Sequence, residues 1–300
     1  LIVSRAGRAN LLHDQCDFLG STVKLAEEFG IAHSMLSASD LAARFPQLIL
    51  SGDEIAYYEP GAGILNPEAC VRAHLRVAAR YGNQLLRYGE TVREIRSDAS
   101  RTIVETDHGT YTPGTTIICA GPWLPELVPA LAKRLTVRRQ VMYWFALDGS
   151  EDYSHDVFPI FIWPWGGGDG EAFYGFPQND ANGVASIKVA TEQRDVSTTP
   201  SSVARDVTRD DIDAMYRRHV RPHLRGVHAR CVKSATCLYT NAPQATFLID
   251  RLPDSPNVIV VSACSGHGFK HSAAIGDAVA RMVVTGQTPD VLAPFRLSVI

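Results

Sequence analysis

Val258-Ile259-Val260-Val261, followed by Cys264-Ser265-Gly266-His267-Gly268-Phe269-Lys270, reads as a buried strand, a glycine-bearing loop and the start of a helix that runs to about Val284. That order makes an anion-receptive loop, because free N–H groups and the positive end of the helix dipole point outward from it. Lys270 adds a full charge. Two glycines in a GxG also make an ordinary tight turn with a solvated lysine behind it, so spacing alone leaves both readings open.

Upstream, Thr115-Thr116-Ile117-Ile118-Cys119 is a second short buried strand, and it runs into Ala120-Gly121-Pro122-Trp123. Strand, small residues, then helix start again suits a backbone that approaches a ligand closely. Glu90 to Arg96 and Arg101 to Thr106 alternate, and Asp107-His108-Gly109 turns the chain toward Thr110-Tyr111. Pro67 to Tyr81 reads as a helix, with Asn66 as cap, Pro67 in the first turn, Glu68 suited to the dipole and Gly82 at the end. Leu19 to Phe29 has helical spacing, and Ser39-Asp40 caps a short helix that stops at Pro46. Between the two α/β stretches the texture changes. Leu135 to Leu147, Phe158 to Trp163, Glu171 to Phe176 and Val184 to Ala190 read as successive strands without helices between them, which predicts an antiparallel sheet. The run Gly166 to Gly170 is a loose connection, and Thr208 to Val220 is a polar-faced helix. The fold class is therefore α/β interrupted by antiparallel β.

Composition narrows the function. The chain has 300 residues, 45% hydrophobic and 20% charged, as in ordinary globular proteins. A net charge of -3 offers no basic field, so no nucleic-acid partner is expected. No run approaches the ~18 apolar residues of a membrane span, so no membrane partner is expected. Six scattered cysteines without a CxxC argue against a disulfide framework and for a reducing, cytoplasmic setting, and no zinc-type spacing appears. The first ten residues do not form a signal peptide. Leu1 is not Met, and Leu1-Ile2-Val3-Ser4 reads like a strand already under way, which suggests a chain that begins inside a larger protein.

Three further features have a plain reading beside a functional one. Cys237, in Ala235-Thr236-Cys237-Leu238-Tyr239-Thr240, is by composition a small core residue. Lys188, between Ile187 and Val189, can face either side of its strand; most such lysines face water, and one facing a cavity would be functional. Trp163 and Trp165 are core or pocket wall. The His/Arg run from Arg217 to Arg230 fits no ligand template.

Taken together, Cys237-Leu238-Tyr239-Thr240, Phe247-Leu248-Ile249-Asp250 and Ser265 to Lys270 resemble the C-terminal part of monomeric sarcosine oxidases and N-methyltryptophan oxidases. Tyr174-Gly175-Phe176-Pro177 followed by Lys188, Ile117 to Trp123, Glu59-Pro60 with Gly63-Ile64-Leu65, and Pro294 to Leu297 fit the same family, from about Arg44 onward. The resemblance implies a glutathione-reductase-type FAD-binding lobe (residues 64–134 and 241–300) interrupted by an antiparallel-sheet catalytic lobe (135–240), with 1–63 as connecting helices and part of the catalytic lobe. It implies FAD as cofactor, covalently bonded through Cys237, an amine or amino-acid substrate, and O2. Lys188 matches the lysine that activates O2, Lys270 one that helps hold the substrate carboxylate, and Tyr174 and Tyr239 pocket-wall tyrosines. Val92, Ala120, Gly121, Trp123, Gly266, His267, Gly268, Phe269 and Lys270 match cofactor-lining positions.

Two departures stand out. The family's N-terminal βαβ unit with its G-x-G-x-x-G is absent, and Gly61-Ala62-Gly63 is no substitute. With it goes an arginine that in the family pairs with the substrate carboxylate. Because the pyrophosphate also loses its glycine loop and helix N-terminus, poor FAD binding and no oxidase activity are expected of the chain alone. The family's histidine four residues after the lysine is here Glu192, which puts sarcosine itself in question as substrate. The main reading is an oxidase of secondary amines such as N-methyl amino acids. Its alternatives are a dehydrogenase on the same scaffold and a cofactor-free module.

Overall fold

The computed structural model describes residues 1–300 except 8–10, 13–14, 83–84, 98–100, 167–169, 194–195 and 299–300; for 11–12 and 15–16 it describes the backbone alone. The middle of the expected Gly166 to Gly170 connection lies outside the described residues. The chain forms two units, Leu1–Ile64 with Arg138–Leu238, and Leu65–Val137 with Tyr239–Ile300.

The first unit is built on one sheet. Among the described residues it has eight strands in the order β14 (Val227–Asn241), β10 (Thr136–Leu147), β13 (Val184–Ala190), β12 (Ala172–Ala181), β11 (Phe161–Pro164), β1 (Ile2–Arg5), β5 (Glu54–Tyr58) and β4 (Ser34–Ser37). β10, β13, β12 and β11 pair antiparallel, as the strand run without helices predicts, while β1 joins β11 in parallel. A two-residue hairpin, β2 (Leu11–Leu12) with β3 (Gln15–Cys16), stands apart. Alternation assigns the faces. Tyr143, Phe145, Ile187, Val189, Phe173, Phe161, Trp163 and Val3 form one buried cluster with Leu41 of α2 (Ala38–Arg44), Phe45, Met215 and Val220. Trp163 is core, and the buried Tyr153 hydroxyl in the same cluster donates to the Arg225 carbonyl at 2.7 Å. The opposite face carries Ile2, which packs with Leu19, Val23 and Ala26 of α1 (Phe18–Glu28), and further along it Tyr174, Lys188 and Trp144.

Local chemistry sets the helix ends. Asp17 accepts from the Gly20 N–H and starts α1. The cap of α2 is Ser37, two residues before the expected Ser39: its hydroxyl accepts from the Asp40 N–H, and the Asp40 carboxylate accepts from the Ser37 N–H, a closed capping box. Thr208 and Asp211 make the same box at α5 (Arg209–Met215). The helix expected through Val220 instead widens into a π-helical turn over Tyr216–Val220, which sets Met215, His219 and Val220 all inward.

That turn buries a histidine. His219 is 4% exposed, and its Nδ1 accepts from the Trp165 indole N–H at 3.3 Å, which requires a neutral ring. Burial, with Arg218 and His223 adding to it, pushes its pKa down to about 4. Burial lowers His223 too. The unfolded chain therefore takes up a proton near pH 6.5 that the folded chain refuses. The His219 contribution is complete above that pH and declines as pH falls toward 4. Urea unfolding of the protein at pH 7 and pH 5 is expected to show a loss of ~2 kcal/mol attributable to this residue, and a clearly smaller loss in His219→Phe. Equal pH sensitivity in the two proteins would remove His219 as the cause.

The second unit carries the parallel pair. β9 (Thr116–Ile118) runs parallel to β16 (Ser255–Ser262), which pairs antiparallel with β15 (Leu248–Leu252). Val258 and Val260 pack with Ile118, Leu248 and Leu124 of α4 (Leu124–Leu127); Ile259 packs on Ala278, Val279 and Met282 of α6 (Ser272–Thr285). Burial on both faces explains the unbroken apolar run in β16. A second sheet holds β6 (Val92–Ser97), β7 (Thr102–Thr106) and β8 (Thr110–Tyr111). The helix α3 (Pro67–Ala79) is capped by Asn66, whose side chain accepts from the Ala69 N–H at 2.9 Å.

Candidate functional site

In the second unit both parallel strands end in a glycine-bearing loop that opens a helical turn. β9 runs into Ala120 and then Gly121, which at φ 52° opens the turn Gly121–Trp123. β16 runs into the loop 263–268 and then the turn Phe269–His271 that leads to α6. The carboxyl ends of parallel strands are where open α/β sheets bind their ligands.

The second loop is tied down from within. The Ser265 N–H donates to the Thr240 carbonyl at 3.0 Å; its hydroxyl donates to the Thr246 carbonyl at 2.6 Å and accepts from the Ala242 N–H at 3.1 Å. The His267 and Gly268 N–H groups both reach the Cys264 carbonyl, at 3.0 and 2.9 Å. His267 Nε2 donates to the Ala245 carbonyl at 2.8 Å, which fixes its tautomer, and its ring lies 4.9 Å from that of Phe247. Gly266 is at φ 80°, and a Cβ there would come within 2.6 Å of the Tyr239 ring. A Cβ on Gly268 would collide with the Ala263 carbonyl. Both glycines are therefore required by the loop itself. Gln244, Ala245 and Ser265 adopt left-handed backbone in this small region, a concentration of strain characteristic of functional loops. Lys270 Nζ donates to the His267 carbonyl at 2.8 Å, and burial pulls its pKa below the usual lysine range. The Ser262 hydroxyl, at the carboxyl end of β16, is buried and has no hydrogen-bond partner among the described residues. A polar ligand at this strand end would satisfy it, so the loop fits a flavin nucleotide.

In the first unit, Lys188 and Tyr174 stand on the sheet face opposite the core. Tyr174 pairs with Ala190, two residues from Lys188 on the same strand face. The flanking Ile187 and Val189 are fully buried on the other side. Register thus answers which way Lys188 faces. Its ammonium lies 4.3 Å from the Phe176 ring centroid and 5.7 Å from that of Trp144, and Lys233 Nζ lies 4.6 Å from the same indole. Just past β13, Gln140 clamps the chain: it donates to the Gln193 carbonyl at 2.6 Å and accepts from the Gln193 N–H at 2.9 Å, which fixes the backbone next to Glu192. Cys237 is half-buried on β14, a neighbour of β10.

Of the remaining expected residues, Ala120 packs on the Ile118 cluster and Trp123 is about half exposed. Val92 lies in the β6–β7–β8 sheet rather than in the sheet that ends in the glycine loops. Trp144, Phe176, Gln140 and Ser262 were not expected. Alternation in β10 could have flagged Trp144, had its register with β13 been known. Among the described residues no cluster of three or more His, Cys, Asp or Glu could hold a metal ion, and no helix is long and apolar enough to cross a membrane.

A family model described as FAD dependent oxidoreductase (DAO) matches residues 1–282. The chain is 37% identical to monomeric sarcosine oxidase of Streptomyces avermitilis over 275 residues, 90% of this chain and 70% of that protein. It is 31% identical to N-methyl-L-tryptophan oxidase of Salmonella heidelberg over 306 residues, 99% of this chain and 77% of that protein. Among solved structures, the open form of NikD, an unusual amino acid oxidase essential for nikkomycin biosynthesis, superposes with a TM-score of 0.81 at 22% identity, covering 98% of this chain and 75% of NikD. Glycine oxidase from Geobacillus kaustophilus gives 0.73 at 20% identity, covering 99% of this chain and 74% of that one.

Proposed function

The chain belongs to the FAD dependent oxidoreductase family, and from that premise we propose that it is an oxidase of N-methyl or other secondary amino acids. The observation that carries this reading is the aromatic-walled cation of the first unit, Lys188 against Phe176 and Trp144 with Tyr174 on the same face. Bound FAD supplies the redox chemistry: two electrons leave the carbon next to nitrogen, an imine forms that water hydrolyses, and O2 is reduced to H2O2.

The residues of the chain supply position and charge. The loop Gly266 to Phe269, with His267, and the Ala120-Gly121 turn would hold the flavin, and Trp123 and Val92 would flank it. Lys270 would hold the substrate carboxylate, because a cation at a helix start attracts an anion. Tyr174 and Tyr239 would wall the substrate. Lys188 would stabilise the negative charge that develops on oxygen. Supplied with an N-methyl amino acid in air, the holoenzyme is expected to release one H2O2 per amine consumed. Electrons passing to an added dye with no peroxide would favour the dehydrogenase reading instead.

We further propose that FAD is bonded through Cys237, whose thiolate is the nucleophile such a bond requires. Acid precipitation of the holoenzyme is expected to leave the flavin with the protein, and Cys237→Ser to release it. Flavin wholly in the acid supernatant of the unmodified protein would remove the covalent bond and leave the oxidase reading standing.

A further inference from the structure

We propose that Trp144 and Phe176 are positioning residues for Lys188, one ring from each neighbouring strand fixing where its ammonium stands. The proposal deepens the reading of Lys188 as the oxygen-activating cation and rests on it. β13 lies between β10 and β12. On the β10 side, Trp144 is the direct cross-strand partner of Lys188, so the register puts indole and lysine stem side by side. The indole is 8% exposed, so packing holds it in place.

On the β12 side the ladder is broken opposite Lys188. Gly175 pairs with Val189 and the next pair is Gln178 with Ile187, so Phe176 and Pro177 together face the single residue Lys188. This is a two-against-one bulge, a device that re-aims a side chain. Pro177 has no N–H to give the ladder, and the Gln178 N–H turns away to the Tyr153 carbonyl at 2.7 Å. The bulge brings the Phe176 ring to 4.3 Å from Lys188 Nζ. Phe176 in turn meets Tyr174 edge-on, with centroids 6.1 Å apart, so the ring that locates the cation also touches the tyrosine on the same face. Ring faces attract an ammonium without neutralising it, so they can locate the cation and leave its charge available to oxygen.

The test uses the flavin-loaded enzyme. Trp144→Leu and Phe176→Leu are each expected to slow reoxidation by O2 about 10-fold, the equivalent of ~1.4 kcal/mol, with anaerobic reduction by the amine essentially unchanged and with Trp144→Phe restoring most of the rate. In a Lys188→Met background neither change should slow reoxidation further. Independently of activity, the ε-methylene signal of Lys188 in 13C-lysine-labelled protein, assigned by its loss in Lys188→Met, should be shifted upfield by the two rings and should move back in either variant. Full additive slowing in the Lys188→Met background, or a Lys188 signal that neither variant moves, would overturn the proposal. If Lys188→Met itself slows both half-reactions equally, the oxygen role of Lys188 fails, and the NMR arm still decides the positioning. Should Trp144→Leu not fold, Phe176→Leu carries every arm.

Discussion

Replacing Lys188 by Met is expected to slow reoxidation of the reduced enzyme by O2 about 10²–10³-fold while anaerobic reduction by the amine changes little. The size follows from removing one preorganised charge at a site of developing negative charge, which typically costs ~3–4 kcal/mol. The selectivity follows from the proposed role, since the cation acts on oxygen and not on the C–N bond. Folding should survive. Met keeps the length and the apolar contacts of the lysine stem against Phe176 and Trp144, and removing a half-buried charge lifts a desolvation cost. Stopped-flow absorbance of the flavin separates the two half-reactions. Equal slowing of both would assign Lys188 a structural or substrate-binding role instead.

Gly268→Ala is expected to be the most damaging glycine-to-alanine change among the described residues. The added methyl would overlap the Ala263 carbonyl, which belongs to the same turn, and backbone cannot swing aside as a flexible side chain can. The turn that carries the His267 and Gly268 N–H groups to the Cys264 carbonyl would have to open. A backbone rearrangement of this kind costs about 1–3 kcal/mol, and it would misplace Lys270, whose ammonium is anchored on the His267 carbonyl. Lower thermal stability together with loss of bound flavin is the expected pair of results. By contrast, Gly121→Ala meets no atom within 4 Å and suffers only from its positive φ, so it should lose much less of both. If Gly268→Ala binds flavin as tightly as the unmodified protein, the loop is not the flavin site.

What the sequence made legible depended on how local the cause was. β16 was readable because burial on both faces leaves a continuous apolar run, whereas β9, expected to be buried, buries Ile118 and leaves Ile117 exposed. The caps at Asn66 and Thr208 were readable because a cap is a contact between residues three apart. The upstream part of β14 escaped notice because it edges the eight-stranded sheet, and its exposed His228, Arg230 and Lys233 mask any alternation. β4 and β5 also escaped, being short and set between helices. The orientation of Lys188 could not be read from Ile187 and Val189 alone. It is decided by pairing with Trp144, which lies 44 positions away, and by a bulge in a third strand. Cross-strand register and bulges are long-range choices, and no single segment encodes them. The proposed chemistry was legible only as a family resemblance, carried by the joint order in the sequence of Tyr174, Lys188, Cys237 and the loop ending at Lys270.

The central claim, an FAD-dependent oxidase of N-methyl or other secondary amino acids, is tested most directly by mixing the oxidised holoenzyme with such amino acids in the absence of oxygen and recording the flavin absorbance. Bleaching of the flavin band to completion, saturable in the N-methyl amino acid and much slower with the corresponding unmethylated one, followed by recovery of the band when air is admitted, is the expected result. A flavin that stays oxidised with every secondary amine offered, or one reduced equally well by unmethylated amino acids, would contradict it.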